Sequence, residues 1–301
     1  MTERVVAVLT HSRRLEAMHA ACDFVASMAE HGIRCLVFPD ALAAIRERVP
    51  QAHLAAIGSS ADPRVEIAVV FGGDGTILRA AEWALLHDVP VLGVNLGHVG
   101  FLAEMEVVEL PALADRVLAA DYSTERRVTL QVEAIDATGR RLWSSFAVNE
   151  VSLEKASRQK VVEILATIDG LPVSRWACDG ILISTPTGST AYAFSAGGPV
   201  MWPNVEAFLV VPLSAHALFA RPLVVGPDSV VEIDLVSNAE AVVWCDGRRT
   251  FDVTPGCRIL ARRSTHHLTM VRLSEQPFTN RLVRKFGLRI EGWRAVDPGP
   301  G

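Results

Sequence analysis

The chain has 301 residues, half of them apolar, enough to bury one large or two medium cores, and two are expected. Its 29 basic and 34 acidic residues leave a net charge of −5 with no block of like charge, so neither DNA nor RNA is an expected partner. Apolar runs are broken by charge or proline well short of a bilayer's width, and residues 1–14 lack the basic-then-apolar order of a secretion signal, so a cytoplasmic protein without membrane partners is expected.

Residues 5–9, 33–38, 65–71 and 91–95 read as strands, with helical patterns over 15–29 and 77–86 between them. That alternation predicts a parallel, Rossmann-like α/β sheet. Ile77, Leu78, Ala81 and Leu85 share one helical face, whereas 65–71 is almost continuously apolar, as a strand covered on both sides should be.

From about Arg126 the texture changes to short β-rich runs, 130–135, 142–148, 161–168, 181–184, 230–235 and 242–245, separated by turn pairs such as Thr138-Gly139 and Asp169-Gly170. This spacing predicts antiparallel pairing and an all-β-rich second domain. A helix over 280–286 and a polar, proline-bearing end could pack back on the first domain. The predicted division is 1–123, completed by 273–301, and 124–272. Cys22, Cys35, Cys178, Cys245 and Cys257 form no Cys-x-x-Cys pair and are odd in number, so they read as buried thiols.

Gly72-Gly73-Asp74-Gly75-Thr76 follows a predicted buried strand and precedes a predicted helix. Glycines there let the backbone approach a phosphate closely, and the first-turn amides of the helix supply donors and partial positive charge. Asp74 would repel polyphosphate if it were only a wall. It therefore reads as facing a metal ion or a hydroxyl awaiting deprotonation, with a helix N-cap as the plain alternative. No Gly-Lys-Ser/Thr follows, so this is not a Walker loop, and it is not the Gly-x-Gly-x-x-Gly fingerprint of dehydrogenases.

Ser184-Thr185-Pro186-Thr187-Gly188-Ser189-Thr190-Ala191-Tyr192 also follows an apolar strand. Its hydroxyls and amides could serve phosphate and ribose oxygens, and Tyr192 could present a ring to a base; an ordinary turn is the alternative. Asn149-Glu150 suits ribose hydroxyls or a polar outer face. Asp179 reaches the same cavity or closes a turn. Lys155, Arg158 and Lys160 could neutralise polyphosphate or be solvated. His266-His267 alternates across an expected strand, and Asp246-Gly247-Arg248-Arg249 reads as a hairpin turn.

In that order and separation, these motifs resemble the NAD kinases of bacteria, particularly the actinobacterial branch, over nearly the whole chain. Val94-Asn95-Leu96-Gly97 with Gly100-Phe101-Leu102, the stretch 195–199, and His216-Ala217-Leu218-Phe219 with Arg221-Pro222 add to the likeness. The resemblance implies an NAD kinase and diacylglycerol kinase-like architecture, a cleft between the domains, and a homodimer or homotetramer. It implies that ATP, with polyphosphate as a possible substitute, phosphorylates the 2′-hydroxyl of the adenosine ribose of NAD, giving NADP. Mg²⁺ or another divalent cation is expected on the ATP phosphates rather than in a protein metal site.

Carried over by position, Asp74 is the catalytic acid–base group and a contact to NAD. Gly72, Gly73, Gly75 and Thr76, with Gly188 and Ser189, hold phosphate. Gly75, Asn149, Glu150, Asp179, Thr190, Ala191, Tyr192, Ala193, Phe194 and Ser195 contact NAD, as do Arg79, Lys160 and Arg248 at more variable positions. Ala177 stands where some relatives have a basic residue. A lipid or sugar kinase sharing the Gly-Gly-Asp-Gly loop, or a non-catalytic NAD(P)-sensing module, are the alternatives.

Overall fold

The computed structural model describes residues 4–11, 14–58, 65–96, 100–103, 105–106, 110–157, 160–273 and 277–288. Expectations that fall on Gly97, His98, Arg158 and the proline-bearing end lie outside these residues. The chain divides into two compact units, Met1–Glu125 with Met270–Gly301, and Arg126–Thr269.

Unit 1 opens with β1 (Val5–Thr10), α1 (Leu15–Glu30), β2 (Arg34–Val37), α2 (Pro39–Arg48) and β3 (Leu54–Ala56). It continues with β4 (Val65–Phe71), α3 (Asp74–His87), β5 (Val91–Asn95), β6 (Met105–Glu106), α4 (Leu110–Ala119) and β7 (Ser123–Arg127). Unit 2 holds β8 (Leu130–Ile135), β9 (Arg141–Ala147), β10 (Glu150–Lys155), β11 (Val162–Ile168), β12 (Leu171–Cys178) and β13 (Gly180–Ser184). A 3₁₀ turn (Thr187–Thr190) and the single-turn α5 (Tyr192–Ser195) follow. Then come β14 (Phe208–Leu213), β15 (Leu223–Val225), β16 (Val231–Leu235), β17 (Ala241–Cys245), β18 (Arg249–Val253) and β19 (Arg258–Arg263). The chain returns to unit 1 with β20 (Leu268–Arg272) and α6 (Phe278–Phe286).

In unit 1 the strand order is β3-β2-β1-β4-β5-β20-β7, with β6 on β5. β1 runs parallel to β2 and β4, and β5 parallel to β4 and β20. β1 is buried at every residue, as a β-branched strand with helices on both faces must be. α1 turns Ala17, Ala21, Phe24, Val25 and Met28 into one core with Val6, Val8, Val69 and Phe71. α3 buries Ile77, Ala80, Ala81, Ala84 and Leu85, so the expected stripe is right except that Leu78 is only partly covered.

Unit 2 contains two six-stranded sheets, β15-β14-β13-β10-β17-β18 and β12-β11-β16-β19-β8-β9. One apolar cluster draws on both, from Leu130, Val132, Ile164 and Trp176 on one sheet to Val151, Leu153, Ile183 and Val243 on the other, which makes a sandwich. β8 alternates buried Leu130, Val132 and Ala134 with partly covered Gln131 and Glu133, the signature of a strand with one face inward. All five cysteines are buried and unpaired.

Candidate active site

In unit 1, β4 ends at Phe71 and α3 begins three residues later. Gly72 takes φ +156°, and a Cβ there would stand 2.7 Å from Thr76 Oγ1, so only glycine lets the chain turn this tightly. Gly73 is the residue that precedes the helix, and its carbonyl accepts the Thr76 amide at 2.9 Å and the Ile77 amide at 3.1 Å. At Gly73 and Gly75 no atom of the described residues beyond the chain neighbours lies within 4 Å of an added Cβ, so those residues do not demand glycine at either position. That open space lets a ligand approach the backbone.

Gly73 occupies the N-cap position and Asp74 is the first helical residue, which removes the plain alternative of Asp74 as the N-cap. Its carboxylate instead accepts the Phe101 amide at 3.1 Å and the Leu102 amide at 3.2 Å. Gly100 is required by this approach, because a Cβ there would meet Asp74 Oδ1. α6 braces the same segment: Phe278 and Phe286 pack on Phe101 with ring centroids 5.8 and 5.7 Å away, and Arg281 donates to the Phe101 carbonyl at 3.3 Å. The acid is therefore oriented by backbone amides that lower the mobility of its side chain without covering it fully. Arg79, expected to touch the dinucleotide, is paired with Asp40 at 2.7 Å and lies over the Phe38 ring at 5.4 Å.

In unit 2, the carboxylate of Asp246 organises the Asn149-Glu150 pair. Asp246, Gly247 and Arg248 form the turn between β17 and β18, with φ of 52° and 64° at the first two and the Arg248 amide donating to the Cys245 carbonyl at 3.1 Å. The Asp246 carboxylate, 1 % exposed, accepts the amides of Val148 (2.9 Å), Asn149 (2.7 Å) and Glu150 (3.3 Å) and a hydrogen bond from Arg249 at 2.8 Å. The other side of the same segment is gripped by the second loop. Thr185 Oγ1 donates to the Val148 carbonyl at 2.7 Å, and the Thr185 amide and Ser184 Oγ donate to the Asn149 carbonyl at 2.8 and 3.2 Å.

With the backbone of 148–150 held on both sides, two side-chain oxygens remain buried without a partner: Asn149 Oδ1 and Glu150 Oε2. Burial, and next the nearby Asp246 charge, push the Glu150 carboxyl up to about 8, while the Tyr192 amide bonding to it works the other way. At neutral pH Glu150 is largely a protonated acid that can donate as well as accept.

Glu150, Glu154, Lys155, Tyr192, Trp244 and Gly247 are among the residues lining a cavity of about 410 Å³. An adjoining one of about 540 Å³ shares Glu154, Lys155 and Tyr192 and adds Asp179, Ser195 and Ser214. Lys155 pairs with Asp179, and its hydrogen bond holds the Asp179 carboxyl below the usual range. Burial, followed by the charges of Glu154, Glu150 and Asp179, pushes the Tyr192 phenol up. The structure thus brings Asn149, Glu150, Asp179, Tyr192 and Ser195 into one region of unit 2.

Other expected contacts are placed differently. The Gly188 amide goes to Thr185 Oγ1 at 3.1 Å, and a Cβ on Gly188 would strike the Asn149 carbonyl, so this glycine serves close packing rather than phosphate. Ser189 Oγ donates to the Pro186 carbonyl at 2.7 Å and accepts the Met201 amide at 2.9 Å, and the residue is wholly buried. The hydroxyls that looked available to a ligand hold the loop to its own strand. Ala193 belongs to an apolar cluster with Leu182, Met201 and Leu209, so its side chain is buried. Thr190 and Ala191 are partly covered, and Phe194 is 41 % exposed. Lys160 and Arg248 are exposed and line neither cavity. His266 and His267 lie between β19 and β20 rather than on a strand, and His267 Nδ1 meets Arg126 Nη2 at 3.1 Å.

An open parallel sheet carrying an acid in a strand-to-helix glycine loop, and a β-sandwich that presents one unpartnered amide oxygen and one unpartnered carboxyl oxygen, define the makings of a nucleotide-handling phosphotransferase. Comparison with known proteins narrows the class. Residues 15–122 match the ATP-NAD kinase N-terminal domain and residues 148–273 the ATP-NAD kinase C-terminal domain. The NAD kinase of Cutibacterium acnes is 53 % identical over 293 residues, covering 97 % of this chain and 92 % of its own. That of Leifsonia xyli subsp. xyli is 46 % identical over 302 residues, covering 98 % of each. The fold is shared with yeast NADH kinase complexed with NADH, at TM-score 0.86 and 23 % identity over 98 % of this chain and 90 % of that one. It is also shared with an NAD kinase from Archaeoglobus fulgidus in complex with ATP, at TM-score 0.70 and 24 % identity over 95 % and 100 %. The chain belongs to the NAD kinase family.

Proposed function

We propose that the chain transfers the terminal phosphate of ATP to the 2′-hydroxyl of the adenosine ribose of NAD, giving NADP. The observation that carries this is the clamped 148–150 backbone beside two unpartnered buried oxygens, Asn149 Oδ1 and Glu150 Oε2. Buried polar atoms are ordinarily satisfied, so a rigidly held pair lacking partners is an acceptor set suited to ribose hydroxyls. Asp179 and Ser195 extend the polar lining toward the rest of the dinucleotide, and Tyr192 supplies a ring face.

In unit 1 the Gly72–Thr76 loop receives the triphosphate where Gly73 and Gly75 leave the backbone open, and Asp74 takes the proton of the attacking hydroxyl. A divalent cation such as Mg²⁺, held chiefly by phosphate oxygens with Asp74 as the neighbouring carboxylate, would neutralise the charge on the triphosphate. Phosphoryl transfer through a loose transition state depends mainly on positioning and charge, so proton removal by Asp74 contributes about 10²- to 10⁴-fold. No helix among the described residues is long and apolar enough to cross a membrane. The protein acts in the cytoplasm as a homodimer or homotetramer, and polyphosphate replaces ATP only if it reaches the same loop.

A coupled assay tests this, with an NADP-specific dehydrogenase reporting product from NAD, ATP or polyphosphate, with and without Mg²⁺. NADP formation with ATP and Mg²⁺ is expected. Phosphorylation of fructose 6-phosphate or a short-chain diacylglycerol in place of NAD would point to a sugar or lipid kinase instead. Stoichiometric NAD binding with no NADP formed would point to a sensing module.

A further inference from the structure

The order β3-β2-β1-β4-β5 means that the chain leaves β1 toward one side of the sheet and β4 toward the other. Ligands of open parallel sheets gather at the carboxyl ends of the two strands flanking such a reversal. β4 delivers the Gly72–Thr76 loop there. β1 ends beside it, with Thr10 paired to Phe71, the residue just before Gly72, and with the His11 amide donating to the Phe71 carbonyl at 3.2 Å.

Thr10 is the one break in a strand that is otherwise Val5, Val6, Ala7, Val8 and Leu9. It is 3 % exposed, and its hydroxyl is buried with no hydrogen-bond partner among the described residues. A valine would fill the same volume without leaving a polar group unsatisfied. Alternation along β1 puts Thr10 on the face of Val6 and Val8, which pack in one cluster with α1. α1 runs back from this end of the sheet, and its first turn follows Arg14 with no side-chain cap. An unpartnered hydroxyl therefore ends β1 one strand spacing, about 4.8 Å, from Phe71, the residue just before the glycine loop. Glu16, in that first turn, is exposed and opposes an anion from the solvent side, so the hydroxyl is the buried group that can meet one.

We propose that Thr10 is a donor-binding residue, its hydroxyl giving a hydrogen bond to a phosphate oxygen of the nucleoside triphosphate held by the Gly72–Thr76 loop. The proposal rests on the kinase reading above and adds a second strand end to the phosphate site. Thr10→Val keeps the shape and removes the donor. Thr10→Ser keeps the donor.

The test combines steady-state kinetics with thermal unfolding of the full-length chain, with and without ATP and Mg²⁺. For Thr10→Val the KM for ATP should rise roughly ten-fold or more, as loss of a hydrogen bond to a charged group implies, while the KM for NAD stays within about two-fold. Without nucleotide its Tm should equal or exceed that of the unaltered chain, and the rise in Tm on adding ATP should shrink. Thr10→Ser should lie nearer the unaltered chain in KM for ATP than Thr10→Val does. An unchanged KM for ATP in Thr10→Val overturns the proposal, and so does a Tm several degrees lower without nucleotide, which would reveal a structural partner for the hydroxyl. If the unaltered chain forms no NADP yet loses its ATP-dependent Tm rise on Thr10→Val, the acceptor assignment fails and the phosphate site stands.

Discussion

The loop after β4 and the loop after β13 both leave a buried strand and enter a helical turn, but their polar groups are disposed in opposite ways. In the first, Gly73 and Gly75 face open space and Asp74 is held from one side only, by two amides of the 101–102 segment. In the second, the hydroxyls of Ser184, Thr185 and Ser189 donate to carbonyls of the chain itself, and the Gly188 amide donates to the Thr185 hydroxyl. One loop exposes its backbone, whereas the other acts as half of a clamp whose opposite jaw is Asp246. Hydroxyl-rich composition thus identifies a loop that needs many internal bonds, and the unpartnered oxygens lie instead on the residues the clamp holds, Asn149 and Glu150.

The sharpest break of this contrast comes from the open loop. Asp74→Asn keeps size but removes the base and one of the two acceptors of the Phe101 and Leu102 amides, so turnover should fall by about 10² to 10⁴ or more, with NAD affinity nearly unchanged and Tm only modestly lower. Steady-state kinetics with calorimetric NAD titration checks this, and turnover within a few-fold of the unaltered chain would remove Asp74 from the chemistry.

The clamp should fail differently, through stability first. Asp246→Ala removes the acceptor of three amides and the charge partner of Arg249, and loss of one partner of a buried charged pair costs about 3–5 kcal/mol. Denaturant unfolding measures that loss, and NAD binding should weaken with it because Asn149 and Glu150 lose their fixed backbone.

Within the clamp, Glu150 supplies a pH signature. Its folded value is raised from 4.5 to about 8, so its contribution to stability is complete below about 4.5 and is lost as pH rises through about 8. Glu150→Gln cannot ionise. Its Tm should therefore gain on that of the unaltered chain as pH is raised from 5 toward about 8.5, and parallel Tm profiles would show that Glu150 titrates normally.

The smallest effect belongs to Arg79, whose side chain is 38 % exposed in its pair with Asp40. Arg79→Ala should cost at most about 1 kcal/mol in unfolding and leave the KM for NAD within about two-fold. A larger rise in KM would restore this residue to the dinucleotide site.

Much of unit 1 was legible because its strands are continuous apolar runs and its helices carry a regular stripe. α2 escaped because Ala41 and Ile45 are its only fully buried residues, too few to make a period. In unit 2, β12 is an edge strand with Pro172 and exposed Leu171 and Val173, which blurs any alternation. β14 is buried throughout and contains Pro212, a residue that argues against a central strand, but β15 pairs only Phe208 to Val210, so Pro212 lies past that pairing. At the site, the Gly72–Thr76 loop could be read from strand, glycines and acid in succession. The role of Asp246 could not, since a turn aspartate looks the same whether it caps its own hairpin or reaches amides 96 to 98 residues away. Thr10 left only the faint sign of one hydroxyl ending an aliphatic strand.

The most direct test follows a labelled γ-phosphate from ATP onto NAD, beside NAD lacking the 2′-hydroxyl of its adenosine ribose. The expected result is label in NADP from the first and none in any product of the second. Equal labelling of both dinucleotides, or labelling of neither while another alcohol accepts the phosphate, would contradict transfer to the 2′-hydroxyl.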